Sequence, residues 1–339
     1  MTFGLEMPIH NSCPTTEHLV SPQATSLNQT TLWTALITPF HDDESVDFET
    51  LTQLATEQDA VGNGILLLGS TGEALAMTPT EQQAVVRHVC ALELSAPLMV
   101  GVGGFQLQQQ LQWLTFLADY PIDALLLPVP LYAKPGAASQ QKWFEALLDA
   151  SRWPCMIYNV PSRTGAALDA QTLGAISAHP NAWAVKEASG SVEVFTRYTQ
   201  AAPTLQFFCG DDALFVDFAA AGACGLVSVA GNAWPEATAL YVRQTLSQTA
   251  SSVQQVPSFQ QEPNFQQEPS FKQLWQSAGN SLFCAANPIA VKALMQHQGR
   301  LRHAGLRPPL YMDELPELTP VLNANHDINQ WMHSCQDQS

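Results

Sequence analysis

The sequence predicts a (β/α)8 TIM barrel with extra C-terminal helices. Between residues 31 and 250, eight short apolar runs rich in Val, Ile and Leu alternate with eight longer amphipathic stretches. The runs are continuously apolar, as parallel strands covered on both faces require. A doubly wound sheet is the competing fold, but it rarely needs eight such regular units. The strand candidates lie at 32–40, 65–69, 97–103, 124–130, 155–161, 182–188, 206–210 and 225–230. Helix candidates follow near 48–61, 79–94, 106–119, 139–152, 169–178, 191–201, 213–222 and 235–248. Thr78, Pro79 and Glu81 supply an N-cap, a first-turn proline and a capping-box acid to the second helix. Leu107, Leu111, Leu114 and Ala118 form the apolar stripe of the third.

Before and after this frame the pattern changes. Residues 1–30 are polar and aperiodic and read as a tail. Residues 251–273 hold a Pro/Gln-rich insertion in which Pro257-Ser-Phe-Gln-Gln-Glu, Pro263-Asn-Phe-Gln-Gln-Glu and Pro269-Ser-Phe-Lys-Gln-Leu repeat a six-residue unit. Pro-spaced hexads cannot build a core, so a surface segment is expected. Residues 274–339 read as a C-terminal helical region and tail, with helices at 274–283 and 288–298 packed outside the barrel.

With 339 residues the chain can bury a large core without disulfides or metal. Thirteen basic against thirty acidic residues give a formal charge of -17. That field argues against nucleic-acid or anionic-membrane partners, and no apolar run is long enough to span a bilayer. Seven cysteines without a C-x-x-C read as reduced thiols. Glu6, with no early Lys or Arg, argues against a secretory signal, and a cytoplasmic protein is expected. The nine histidines show no ligand spacing, so neither a metal nor a cofactor is expected.

In such a barrel, chemistry sits at the C-terminal ends of the strands. Of the five lysines, Lys134 lies in a Pro-Gly loop, Lys142 in an amphipathic helix, Lys272 in the repeat and Lys292 in a late helix. Lys186 alone sits within an apolar strand, on the inward face with Ala184 and Ala188, while Glu187 faces the helices. Burial lowers an amine's pKa, as a nucleophile attacking a ketone needs, although Asp211 or Asp212 could instead neutralise it. Tyr158 points inward from strand five and could relay protons, or could be a core tyrosine with a satisfied hydroxyl. Arg163, in the next loop, suits a carboxylate but could form a surface ion pair. Gly69-Ser-Thr-Gly-Glu exposes backbone N–H groups in a carboxylate-sized nest, although turns need glycines anyway.

Five motifs together, G-S-T-G-E at 69–73, Y-N-V-P-S-R-T-G at 158–165, K-E-A-S-G at 186–190, G-D-D at 210–212 and N-P-I-A-V-K at 287–292, resemble the dihydrodipicolinate synthase family. Order and spacing agree from about residue 32 to 300. The resemblance implies a Schiff base between Lys186 and pyruvate, whose enamine attacks aspartate semialdehyde to give 4-hydroxy-tetrahydrodipicolinate in lysine and diaminopimelate synthesis. It makes Tyr158 the proton donor and acceptor. Ser70 becomes a relay to Tyr132, which arrives from a neighbouring subunit of a homodimer or homotetramer. Thr71 and nearby amides would hold the pyruvate carboxylate, the Val227 carbonyl would face the site, and Arg163 would bind the semialdehyde carboxylate. The wider superfamily includes N-acetylneuraminate lyase and keto-deoxy sugar acid aldolases. A sugar-acid aldolase is therefore the alternative, and Arg163 favours the synthase. From another class, a non-catalytic barrel assembling through the hexads would be expected to have lost part of this residue set.

Two departures stand out. Ser70 occupies a position where the family usually has Thr, and Leu131 replaces one tyrosine of the usual pair before Tyr132. The positions that would form a lysine feedback site read Ala74, Pro79, Gln82, Phe105, Gln109 and Leu131. They lack the acid and imidazole groups an amino-acid effector needs, so insensitivity to lysine is expected.

Overall fold

Residues 27–254 and 270–336 are described by the structure, a computed structural model. Eight parallel strands close into a barrel in chain order: β1 (Leu32–Ala35), β2 (Gly64–Leu67), β3 (Leu98–Gly101), β4 (Ala124–Pro128), β5 (Cys155–Asn159), β6 (Ala182–Glu187), β7 (Gln206–Cys209) and β8 (Gly225–Ser228). Pairing of Trp33 with Val227 completes the ring between β1 and β8. The outer layer comprises α1 (Phe48–Val61), α2 (Pro79–Cys90), α3 (Leu107–Leu117), α4 (Ala137–Ala150), α5 (Ala170–Ile176), α6 (Val192–Ala201), α7 (Phe215–Ala220) and α8 (Pro235–Gln254). Among the described residues no helix is long and apolar enough to cross a membrane.

The expected strands run past the observed ones because burial outlasts pairing. β1 stops at Ala35, yet Leu36, Ile37 and Phe40 stay buried on the outer core. Ile37 N leaves the ladder to donate to Asn232 Oδ1 at 2.9 Å. At α2 the expected cap is present: Thr78 Oγ1 accepts from Glu81 N, and Glu81 Oε2 accepts from Thr78 N at 2.8 Å. On α3 the stripe is rotated from expectation, centring on Gln110, Leu114 and Leu117, while Leu107 and Leu111 are only partly buried.

Outward strand residues bury against the helices, and inward ones fill the barrel: Trp33, Leu66, Met99, Met156, Phe208 and Val227 form one closed cluster. One irregularity lies between β5 and β6. Cys155 pairs with Ala182 but Met156 with Ala184, which leaves Trp183 as an extra residue. Its ring packs edge-on to Trp33 at 6.3 Å and near Phe208 at 5.8 Å, and alternation resumes with Ala184 and Lys186 inward.

The N-terminal boundary differs from the expected residue 30. Leu27 is buried in the barrel-interior cluster, and Asn28 Oδ1 accepts from Trp183 Nε1 and Gln206 Nε2 at 3.1 and 2.8 Å. An open barrel end needs an apolar plug, and one leucine in a polar stretch carries no periodic signal. The rest of the expected tail, and residues 255–269 of the hexad insertion, lie outside the described residues. The third hexad opens a helix: Ser270 and Gln273 form a capping box for α9 (Phe271–Ser281).

α9 is followed by α10 (Ile289–His297) and α11 (Thr319–Gln336), the last a helix the periodicity reading did not single out. Its buried Val321, Ala324 and Ile328 carry the spacing that would have revealed it. Trp275 stacks on Tyr241 at 4.1 Å and meets Trp331 edge-on at 5.6 Å, which ties α9 and α11 to α8.

Gly64 faces Trp33 across the β1–β2 ladder, and a Cβ there would sit 2.6 Å from the indole. Gly64→Ala therefore overpacks the barrel. A loss of about 1–3 kcal/mol, read as a fall of several degrees in Tm by thermal melting, is the expected outcome.

Candidate active site

The turn after β2 brings the first functional side chains to the barrel mouth. Gly72 N donates to Gly69 O at 3.1 Å and Glu73 N to Ser70 O at 3.2 Å, a tight turn that presents Ser70 and Thr71. Leu68 and Glu73 bracket it with φ of 56° and 54°, left-handed values that cost about 1–3 kcal/mol each for residues with a Cβ. Such strain persists only where surroundings enforce it. Thr38 Oγ1 donates to Gly72 O at 2.7 Å, and Asn287 Nδ2 donates to Thr71 Oγ1 at 2.9 Å.

Lys186 lies at the end of β6, 6% exposed, with Nζ 4.4 Å from the Tyr158 ring centre. Burial pushes its ammonium down to about 8 against the opposing pull of Asp212, and the nearby Arg163 charge adds to the lowering. The candidate counter-charges are engaged elsewhere. Asp212 accepts from Ser228 Oγ at 2.5 Å, Val229 N at 2.9 Å and Ala230 N at 3.2 Å, while Asp211 caps Ala213 N at 3.0 Å. Glu187 turns outward to accept from Asn159 Nδ2 and Ser189 N. Beside the lysine stem stands Gly210, where a Cβ would lie 2.9 Å from Lys186 Cε and 2.8 Å from Ala188 Cβ. The site is thus built around this side chain.

Tyr158 points inward from β5, and burial raises its phenol to about 12, with Arg163 and a hydrogen bond from Ser70 pulling the other way. It stays protonated at neutral pH and can donate. Ser70, Tyr158 and Arg163 line one cavity of about 430 Å³ with Leu75, Leu131 and Ser162. Arg163 Nη2 reaches Asn287 O at 3.4 Å. Val227 is buried in the barrel interior. Tyr132, with φ of 65°, is 83% exposed on the rim, outside the cavity lining, and its ring lies 6.3 Å from that of Phe105. The single chain therefore brings together Ser70, Tyr158, Lys186 and Arg163, ties Thr71 to Asn287, and leaves Tyr132 apart. A cavity of about 530 Å³ between α1, α8 and α11 shares no residue with this site.

The sequence reading counted N-P-I-A-V-K at 287–292 among its motifs but gave Asn287 and Lys292 no role. Asn287 joins the Thr71 turn to Arg163. Lys292 is a second buried lysine, fully enclosed by Thr38, Glu73 and Gly305, and burial pushes it too down to about 8. Its signal was present: Ala290 and Val291 before it and Ala293 to Met295 after it are all apolar. Among the described residues no group of three His, Cys, Asp or Glu could hold a metal ion.

This arrangement suits amine chemistry on a small anionic ketone: a desolvated lysine, a phenol in contact with it, and an arginine in the cavity wall. The family model described as the dihydrodipicolinate synthetase family matches residues 28–323. A 4-hydroxy-tetrahydrodipicolinate synthase from Francisella tularensis subsp. novicida is 44% identical over 300 residues, covering 88% of this chain and 96% of that protein. One from Wolbachia pipientis subsp. Culex pipiens is 41% identical over 306 residues, 90% of this chain and 98% of its own. The crystal structure of the chloride-inhibited dihydrodipicolinate synthase from Acinetobacter baumannii, complexed with pyruvate, superposes with a TM-score of 0.78 at 26% identity, over 88% of this chain and 99% of that one. With a matching model over nearly the whole barrel and C-terminal region, the chain belongs to the dihydrodipicolinate synthetase family and is a lyase of its class I aldolase type.

Proposed function

We propose that this enzyme condenses pyruvate with L-aspartate 4-semialdehyde to 4-hydroxy-tetrahydrodipicolinate, in lysine and diaminopimelate biosynthesis. The observation that carries the reading is Lys186 itself: buried, lowered toward neutrality, against the Tyr158 ring and without an ion pair among the described residues. Its neutral amine adds to the pyruvate ketone, and loss of water leaves the imine. Loss of a methyl proton gives the enamine, whose carbon attacks the aldehyde. The substrate's own amine then closes the ring at the imine carbon and releases Lys186. Tyr158 delivers and takes back protons at the adduct, relayed through Ser70 and through Tyr132 of a second copy. Thr71 and its neighbouring amides hold the pyruvate carboxylate, and the Val227 carbonyl faces the site. Arg163 takes the carboxylate of the semialdehyde, a local cation in a chain of net charge -17.

The working form in this reading is a cytoplasmic homodimer or homotetramer. Leu75, Phe105 and Tyr132, exposed by 62, 58 and 83%, support it as an apolar patch at the cavity rim. Insensitivity to lysine belongs to the same reading. The Gln82 amide already donates to Ala74 O at 2.7 Å and Met77 O at 3.2 Å, which leaves little on this surface to greet an α-amino acid.

Purified enzyme should consume pyruvate only when aspartate semialdehyde is present, and Lys186→Ala should lose at least a thousandfold in kcat; absence of turnover in the parent enzyme would refute the substrate assignment. Adding 10 mM lysine, on the order of a strong physiological excess, should leave the rate within twofold, and half-inhibition would overturn the feedback expectation. Because the nucleophile is the free amine, borohydride trapping of pyruvate should accelerate as pH rises toward about 8 and then level. A rate still climbing at pH 10 would indicate a lysine of ordinary basicity.

A further inference from the structure

The buried pair outside the cavity, Lys292 and Glu73, has no part in the steps above. Lys292 comes from α10, Glu73 from the turn that presents Ser70 and Thr71, and both side chains are almost wholly inaccessible, 0 and 2% exposed. Lys292 Nζ donates to Glu73 Oε1 at 2.5 Å, Thr38 O at 2.7 Å and Gly305 O at 2.7 Å, three acceptors for three protons, above the Phe40 ring at 4.4 Å. The second Glu73 oxygen accepts from Arg307 N at 2.8 Å. Thr38 is clamped from both sides, since its carbonyl takes the lysine and its hydroxyl donates to Gly72 O. Two of the three lysine bonds thus end on the turn or on the residue that braces it, and the third, with the Arg307 N–H on Glu73, joins the 305–307 segment to them. Hydrophobic replacements could fill the same space at similar stability, so fold stability alone does not account for a buried ion pair here. Glu73, held left-handed at φ 54°, is where such a tie can enforce a backbone the residue disfavours.

We propose that Lys292 is a positioning residue for the pyruvate site: through Glu73 and Thr38 it fixes the Gly69–Glu73 turn in the form that offers Ser70, Thr71 and their backbone amides to the substrate carboxylate. This rests on the proposed function in taking pyruvate as the ligand of that turn. Lys292 touches neither substrate nor Lys186, and its effect is on where the turn stands. Loosening it weakens pyruvate capture while leaving the nucleophile in place.

The test compares the parent enzyme with Lys292→Met/Glu73→Gln, which removes both charges with little change of volume, and with Glu73→Gln alone. Pyruvate concentration is varied, and the Schiff base on Lys186 is trapped with borohydride and read by mass, beside steady-state kinetics and a thermal melt. Expected for the folded variants is a rise of at least tenfold in the pyruvate concentration giving half-maximal trapping, and in pyruvate KM. The semialdehyde KM should move less than threefold, and trapping should still reach completion at saturating pyruvate. Half-saturation within twofold of the parent in a folded variant overturns the proposal and makes the pair a structural tie only. If the double variant does not fold, Glu73→Gln, which keeps the two carbonyl acceptors of Lys292, decides on the same criterion. Failure of the parent enzyme to trap pyruvate at all would instead overturn the functional reading beneath it.

Discussion

Removing one ammonium group from water with no ion pair to hold it among the described residues is the constraint on which this site depends. An uncompensated buried charge is costly, and the lysine responds by giving up its proton more readily. The protein meets that condition by committing the neighbouring carboxylates to other partners: Asp212 to the start of the turn after β8, Asp211 to a helical cap, Glu187 to Asn159. Lys292 shows the opposite solution within the same fold. Both lysines are lowered to about 8 by burial and both lie 4.4 Å from an aromatic ring centre, yet Lys292 donates to three acceptors, one of them a carboxylate. Connectivity, not basicity, separates Lys186 from Lys292.

Electrostatics shapes the mouth in a similar way. A chain with thirty acidic and thirteen basic residues repels small anions at long range, so any anion-binding site on it must supply its own cation. Arg163 does this within the cavity wall. The same charge helps to lower Lys186 and restrains the rise of the Tyr158 phenol, so one side chain in the cavity wall acts on both groups.

Much of this was legible in the sequence because it is local. A lysine inside a strand announces its face by alternation, and eight apolar runs at regular spacing announce a closed parallel sheet. What remained hidden was non-local. That Asn287 would meet Thr71, or Lys292 meet Glu73, depends on chain segments more than two hundred residues apart, and no periodicity encodes them. The extra residue at Trp183 was hidden for another reason: a bulge leaves the apolar character of its strand unchanged and alters only the pairing. Strand ends were overrun where Leu36, Ile37 and Phe40 remain buried after their ladder has finished. The exposed Tyr132 could be read as a residue type, while its surroundings in an assembly lie beyond a single chain.

The position of the 287–307 segment also bears on how the enzyme is made. Synthesis runs from the N-terminus, so β2 and its turn leave the ribosome long before Asn287, Lys292 and Arg307 exist. For most of that interval the turn has its own backbone bonds and Thr38 to brace it, without the later ties to Thr71 and Glu73. Lys186 on β6 also precedes these ties. The ties from Asn287, Lys292 and Arg307 to this turn are therefore completed last, in the final stages of translation.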